Sequence, residues 1–413
     1  MFTSKIISIG DELLIGQVVN SNASFIGERM KSTGIPVKKV ITIGDTENEL
    51  LDELKDSLIN YAVTIITGGL GPTHDDITKP CLVKFFEDEL ITDTKVLEHC
   101  RQIFRNRGIE MPLVNEEQAL VPKNSKIIWN ENGTAPGIWI EKENKMFVSL
   151  PGVPFEMKAM MDNSVIPLLK KKFSGKINYF LKSKTILTSG IGESILSNMI
   201  GDVKIIIGSD KLAFLPSAIG VRLRIDVKGE NEKEADNKLK NISDILYEKI
   251  GEYIFGEGDD LLEDVVGKIL TEKKLKLAVA ESCSGGLLAS RITDISGSSN
   301  YFLGGICAYS NEVKINLLNV KKETIEKYGA VSEETAKEMA DNVRIKFNSD
   351  IGISTTGIAG PTGATETKPV GLVYIGFSFR NKLFANKYLF GNNRDRNKQR
   401  SVQEALNLIR RNI

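Results

Sequence analysis

The sequence predicts an α/β protein: two βα sandwich domains with mostly parallel sheets, joined by a small α+β module. Three observations predict it. Short apolar β-rich runs alternate with amphipathic helices over residues 1–172, the texture changes over 173–256, and the alternation resumes over 257–413. A length of 413 residues accommodates about three domains at roughly 150 residues each.

The elements follow in order. Lys5–Ile9 reads as a strand, Asn20–Ser32 as a helix and Val37–Ile43 as the next strand. Thr46 and Glu49 form a capping box opening a helix to about Asn60. Ala62–Thr67 is a continuous apolar strand, the mark of burial on both faces between helices. Lys126–Leu150 reads as a strand group with Asn132-Gly133 as a turn signal, and Pro154–Lys172 as a closing helix. In the middle module, Asn178–Leu187 and Gly220–Lys228 alternate like half-exposed strands, and Asn231–Ile250 is a charged amphipathic helix. Gly256–Asp260 reads as a linker or cap. The last domain reads as helix 261–273, strand Lys276–Ala280, a Gly285-Gly286 loop and a helix to about Thr293. Strand Ile306–Tyr309, helix Ser332–Phe347 and strand Ile351–Thr355 follow, then β runs Val370–Phe379 and Lys382–Phe390 and a final helix Arg394–Arg410.

Composition narrows the chemistry. Lys plus Arg equals Asp plus Glu, 54 against 54, which argues against a chain that binds nucleic acid globally or coats a membrane. No apolar run approaches the ~18 residues that span a bilayer, and Asp11 and Glu12 interrupt any leader pattern, so a cytoplasmic protein is expected. The two histidines are His74 and His99, so no Ser-His-Asp triad can be built from the residues beyond them. The four cysteines form no C-x-x-C pair, so neither a zinc site nor a disulfide framework is indicated. A catalytic metal would rest on carboxylates, which points to Mg, Mn or a similar ion.

The first constellation follows strand Ala62–Thr67. Gly68, Gly69 and Gly71 let backbone N–H groups approach a phosphate, and Thr73, His74, Asp75, Asp76 and Thr78 follow at once. Strand Lys5–Ile9 delivers Asp11 and Glu12 to the same sheet edge. Adjacent carboxylates beside a phosphate cradle invite a divalent cation bridging acid and phosphate. The blander alternative is that Asp75, Asp76 or Thr78 only caps the helix near Pro80.

The second constellation is a serine–lysine pair without histidine. Strand Lys276–Ala280 delivers Glu281-Ser282-Cys283-Ser284-Gly285-Gly286 to a helix start. Strand Ile306–Tyr309 ends beside Ser310, Asn311 and Lys314, and strand Ile351–Thr355 ends at Thr356-Gly357 and runs on to Gly360 and Gly363. With no histidine in reach, Lys314 is the base for a serine nucleophile, provided burial lowers its pKa. Ser284 could equally be a helix cap, and Lys314 a solvated surface lysine. Ser282 leaves its strand at the edge that carries Tyr309 and Lys314. Ser299 reaches that edge only if residues 295–305 form a loop climbing over it, which Gly304-Gly305 would permit. Cys283 is a rival nucleophile with no histidine to form its thiolate.

These residues together resemble the CinA family (competence/damage-inducible protein A) over essentially the whole chain. Ile9–Leu14, Thr67–Thr78 and Leu150–Pro154 resemble its molybdopterin-binding-like domain, and the middle module its KH-like insert. Ala280–Gly286, Gly297–Ser299, Tyr309–Lys314, Gly357–Gly363, Lys368–Gly371 and Phe390–Arg396 resemble its nicotinamide mononucleotide amidohydrolase domain. The resemblance implies hydrolysis of nicotinamide mononucleotide to nicotinate mononucleotide and ammonia, within pyridine nucleotide recycling. It also implies a metal-dependent ADP-ribose pyrophosphatase in the N-terminal domain, with a divalent ion (Mg, Mn or Co) held by Asp11, Glu12, Asp75 and Asp76. The amidohydrolase domain would need no cofactor.

The family's serine–lysine chemistry falls on Lys314 with Ser282 or Ser299, and Tyr309 would orient the lysine or the substrate ring. Ser284, Gly285, Gly286, Thr356, Gly357 and Gly360 would line the substrate site. Arg394 or Arg396 would take its phosphate, the choice left open because Gly391-Asn392-Asn393-Arg394 replaces the commoner Gly-Asp-Arg. Small-molecule nucleotides, a homodimer and a recombination-protein partner are implied. The module lacks a G-x-x-G flanked by basic residues, so no direct nucleic-acid binding is expected. The alternative is a molybdopterin- or nucleotide-binding protein that acts as a competence or DNA-damage interaction partner without turnover.

Overall fold

A computed structural model describes residues 2–73 and 76–413. The chain forms two compact units: one runs up to Lys182 and includes Lys228–Asp236, and the other comprises Ser183–Val227 and Asn237–Ile413. No helix among the described residues is long and apolar enough to cross a membrane.

In the first unit the strands are β1 (Ser4–Ile9), β2 (Val37–Ile43), β3 (Val63–Thr67), β4 (Leu90–Thr92), β5 (Leu120–Pro122), β6 (Lys126–Ile128), β7 (Gly137–Lys142) and β8 (Lys145–Leu150). The main sheet has the order β2-β1-β3-β8-β7-β6, with β4 and β5 forming a separate pair. β2, β1, β3 and β8 are parallel, and β7 and β6 are antiparallel additions. Successive strand residues face opposite sides. Ile6, Ile65 and Val148 therefore pack with Ile26, Met30 and Leu169, while Ile7, Ile66 and Phe147 pack with Leu50, Leu54 and Leu82. Both faces are apolar, which is why Val63–Thr67 has no alternation.

Local details differ from the sequence reading for identifiable reasons. The tight hairpin joins β7 to β8 through Glu143 and Asn144, at φ 51° and 60°. Asn132-Gly133 lies instead in the longer β6–β7 connection. The closing helix runs Pro154–Met160, takes one π turn at Met161–Val165, and continues as Ile166–Phe173. Pro167 lacks an N–H and its ring crowds the preceding turn, so a wider turn accommodates it.

The middle module, most of which belongs to the second unit, supplies β9 (Phe180–Thr188), β10 (Lys211–Ser217), β11 (Gly220–Gly229) and β12 (Ile254–Glu257), in the order β10-β11-β9-β12. The expected linker Gly256–Asp260 is partly strand. Gly256 and Glu257 pair with Leu187 and Ile186, and Asp260 closes the turn by accepting from Glu257 N at 2.9 Å.

The C-terminal sheet contains β13 (Leu277–Glu281), β14 (Phe302–Cys307), β15 (Ile351–Gly357), β16 (Leu372–Phe379) and β17 (Lys382–Leu389), in the order β14-β13-β15-β16-β17. β14, β13 and β15 are parallel; β16 and β17 return antiparallel. Helix Glu333–Lys346 lies against β15 and β16 so closely that a side chain at Gly352 or Gly376 would overlap the carbonyls of Ala340 or Ala336. The final helix, Arg394–Asn412, holds the middle module by donating from Arg400 Nε to Ala218 O at 3.1 Å and from Arg410 Nη1 to Ile254 O at 3.0 Å.

β14 starts earlier than the predicted Ile306–Tyr309. Gly304 and Gly305 are strand residues in register with Ala278 and Val279. They do not form a loop climbing toward the carboxyl edge.

Candidate functional site

The carboxyl ends of parallel strands are where ligands of α/β sheets bind, at the point where strand order reverses. In the C-terminal sheet that point lies beside β13, which is flanked by both β14 and β15. Ser282 directly follows β13, Lys314 sits on helix Asn311–Leu318 after β14, and Thr355 and Thr356 end β15. The three segments converge. Lys314 Nζ lies 3.0 Å from Ser282 Oγ, 2.9 Å from Ala308 O and 3.4 Å from Tyr309 O. Ser282 N donates to Thr355 O at 2.9 Å, and Ser284 Oγ lies 2.6 Å from Thr355 Oγ1.

Lys314 is 1% exposed. No carboxylate pairs with it among the described salt bridges. Burial lowers its pKa from the ordinary lysine value, opposed by the neighbouring Cys283 and Cys307 thiols. A neutral amine has two N–H groups and one lone pair. Two neighbours, the Ala308 and Tyr309 carbonyls, can only accept; the third, the Ser282 hydroxyl, can donate. An ammonium donating to all three oxygens and a neutral amine whose lone pair faces the serine both fit these contacts, and the lowered pKa favours access to the neutral form.

Glu281 organises the turn. It is buried, and its carboxylate accepts from Gly286 N at 3.0 Å, Leu288 N at 3.0 Å and Ala289 N at 2.8 Å. It thereby fills the anion-attracting start of helix Leu287–Thr293 from within the chain. The Gly285-Gly286 helix start, expected to line the substrate site, thus already holds a side-chain carboxylate. Cys283 is buried, and burial pushes its thiol up to about 12.

The remaining residues sort by placement. Ser299 is exposed in the turn before β14. That turn lies at the amino end of the sheet, because Phe302 pairs with Leu277 while Cys307 pairs with Glu281. At ~3.3 Å per residue, Ser299 lies roughly 15 Å or more from Ser282; the structure brings Ser282, not Ser299, to Lys314. Ser284 and Thr356 are buried, Thr356 donating to Ala330 O at 2.6 Å. Tyr309 is 62% exposed. Arg394 Nη1 donates to Gly360 O at 2.9 Å and Nη2 to Tyr309 OH at 3.1 Å, while Arg396 is exposed at the same helix start.

Lys398 was not among the candidates read from sequence. Its ammonium lies 3.8 Å from where a side chain at Gly285 would begin. Its spacing one helical turn beyond Arg394 is the signal that could have found it. A separate cleft of about 400 Å³ lies between the module and the last helix, lined by Ile191, Pro216, Ile219, Phe390, Arg400 and Glu404, among others. Neither Ser282 nor Lys314 lines it.

In the first unit, the corresponding crevice is between β1 and β3. Gly68, at φ 108°, passes so close to Ile9 O that a side chain there would overlap it. Thr78 Oγ1 donates to Gly68 O at 2.8 Å and Thr78 N to Gly69 O at 3.1 Å, closing the glycine turn. Asp76 does not cap the helix. It accepts from Gly71 N at 2.7 Å, Thr73 N at 2.9 Å and Thr73 Oγ1 at 2.6 Å, so it braces its own loop. Asp11 N donates to Asp45 at 3.1 Å, and Asp45 N donates back to Asp11 at 3.4 Å. The Glu12 carboxylate folds beside Gly10. His74 and Asp75 lie outside the described residues. Among the described residues no three His, Cys, Asp or Glu side chains converge as a metal site. Asp11, Glu12 and Asp76 are thus not gathered as three ligands of one ion.

Three family models match segments of the chain. Residues 5–171 match the family described as "Probable molybdopterin binding domain", 183–256 the "Damage-inducible protein CinA KH domain" and 259–413 the "CinA C-terminal domain". A CinA-like protein of Chloroherpeton thalassium is 45% identical over 98% of this chain and 98% of its own. A CinA-like protein of Flavobacterium psychrophilum is 43% identical over 99% and 98%. The crystal structure of competence/damage inducible protein CihA from Agrobacterium tumefaciens is 35% identical, covering 36% of this chain and 91% of that one, with a TM-score of 0.35.

Proposed function

The chain belongs to the CinA family, and we propose that its C-terminal domain is a serine–lysine amidohydrolase that converts nicotinamide mononucleotide to nicotinate mononucleotide and ammonia. The observation that carries this reading is the 3.0 Å contact between the buried Lys314 Nζ and Ser282 Oγ.

Neutral Lys314 takes the Ser282 proton as Oγ bonds to the carboxamide carbon. Gly285 N, Gly286 N and Leu287 N are committed to Ser282 O, Glu281 and Ser284 O, which leaves the N–H groups of Cys283 and Ser284 in the turn after Ser282 to stabilise the oxyanion. The Lys314 ammonium returns its proton to the leaving nitrogen, the C–N bond breaks and ammonia departs. Water, deprotonated by Lys314, then cleaves the acyl-serine and leaves the carboxylate product. With the helix start already filled by Glu281, Lys398 beside Gly285 is the cation best placed for the 5′-phosphate.

The test is ammonia release from nicotinamide mononucleotide by the purified chain in the presence of a chelator. Release that persists with chelator and disappears in Lys314→Ala supports the reading. Absence of release from the wild-type chain overturns it.

For the first unit we propose binding of a phosphate-bearing nucleotide or pterin at the β1/β3 crevice, supported by the glycine turn that Thr78 closes. Divalent metal for ADP-ribose cleavage would require Asp11, Glu12, Asp75 and Asp76 together. Among the described residues, Asp11, Glu12 and Asp76 do not converge as a three-ligand set. ADP-ribose titrated into the full chain, with Mn²⁺ or with chelator, separates binding from cleavage.

A further inference from the structure

Arg394 is the first residue of helix Arg394–Asn412, where a cation opposes the helix dipole. Its placement there is fixed by Asn393, whose side chain accepts from Arg396 N at 3.0 Å. From that position the guanidinium reaches two other segments. Nη1 donates to Gly360 O, in the loop after β15, at 2.9 Å, and Nη2 donates to Tyr309 OH, after β14, at 3.1 Å. Tyr309 is also tied at its backbone, where its carbonyl lies 3.4 Å from Lys314 Nζ. One residue thus touches the base through its main chain and the arginine through its phenol. Its ring is nevertheless mostly exposed. A solvent-facing aromatic held at both ends beside a nucleophile presents a flat apolar face at low ordering cost.

We propose that Arg394 is a positioning residue that holds the Tyr309 ring as a stacking platform for the planar pyridine of the carboxamide substrate. This rests on the amidohydrolase reading above. It departs from the sequence-based role for Arg394, which was to hold the substrate's phosphate. A guanidinium committed to Gly360 O and Tyr309 OH joins the two loops on either side of Ser282. Ring recognition then resides at Tyr309 and phosphate recognition elsewhere.

The two roles separate with a pair of substrates, nicotinamide mononucleotide and nicotinamide riboside, which differ only by the phosphate. Arg394→Ala should lower kcat/KM about 10- to 100-fold for both substrates alike, mainly through KM, as misplacement of a positioned group does. Tyr309→Phe keeps the ring and loses the phenol, so its effect should be smaller than that of Tyr309→Leu. Adding Tyr309→Phe to Arg394→Ala should cost little more, because both break one contact. A loss confined to the mononucleotide would make Arg394 a phosphate ligand and overturn the platform. No loss on either substrate, or fully multiplicative losses in the double variant, would overturn it as well. If Arg394→Ala fails to fold, Tyr309→Phe against Tyr309→Leu still decides whether the ring matters. If the wild-type chain binds both compounds without turnover, the amidohydrolase reading fails, and the same comparison is made on Kd by calorimetry. A chain that binds neither removes the platform too.

Discussion

Lys314 Nζ lies 3.0 Å from the hydroxyl of Ser282, a residue 32 positions earlier in the chain, and the contact is buried. Lys314→Met keeps the length and apolar bulk of the side chain and removes the base. Deamidation should fall by about 10³-fold or more, within the range general bases supply, while the fold is retained. In the wild-type chain the rate should rise with pH through the lowered Lys314 pKa, because only the neutral amine accepts the serine proton. A pH–rate profile that is flat across the lysine's titration would exclude Lys314 as the base.

Ser282→Ala and Ser299→Ala distinguish the two serines. The first should abolish acyl-enzyme formation, read as loss of a covalent adduct by mass spectrometry after a quench. The second, at an exposed turn on the opposite sheet end, should leave turnover within about twofold and stability within about 0.5 kcal/mol. Equal losses in both variants would contradict this placement.

Glu281→Gln replaces one of the two carboxylate oxygens by an amide NH₂, so either the Ala289 N–H met by Oε1 or the Gly286 and Leu288 N–H groups met by Oε2 lose their acceptor. A cost of about 1–3 kcal/mol in stability is expected from the orphaned donor. Local hydrogen exchange at residues 286–289 should speed up before the rest of the sheet opens. Unchanged protection there would show that the helix start does not depend on Glu281.

Lys79 offers a pH test in the first unit. It is buried, donates to Glu117 O and Gln118 O at 3.2 Å each, and burial lowers its pKa to about 8. Between about pH 8 and 10.5 the unfolded chain binds more protons at this residue than the native chain, so stability should rise with pH across that window. Below about pH 8 the burial penalty, up to about 3 kcal/mol, is fully present. Urea unfolding at pH 7.5 and pH 10 should show this gain in the wild-type chain and not in Lys79→Met, after other groups cancel between the two.

Asp76→Ala should loosen the Gly71–Thr73 loop, seen as faster exchange at Gly71 and Thr73, and leave deamidation unchanged. A parallel fall in deamidation would show that the two units are functionally coupled.

Much of this was legible in the residues themselves. Apolar runs such as Val63–Thr67 and the polar loops that end β13, β14 and β15 announce parallel strands with a site at their carboxyl edge, because periodicity and turn chemistry are local properties. The lack of any histidine after His99 made a lysine base the remaining choice beside a serine. What the chain order could not decide was depth and distance. Gly304-Gly305 serves equally as a flexible loop or as strand backbone; pairing with Ala278 and Val279 selects the strand and leaves Ser299 at the far end. Asp76 and Glu281 are both acids beside glycine turns. Only the folded chain spends the first on its own loop and places the second on a helix start that would otherwise attract a phosphate. Arg394 reads from the sequence as a phosphate ligand, and only the folded chain shows Nη1 donating to Gly360 O and Nη2 to Tyr309 OH. Residue type and spacing determined which groups were available. Packing decided which of them were buried together, since a lysine's basicity and a carboxylate's partners depend on exclusion of water and on contacts made across many residues of chain.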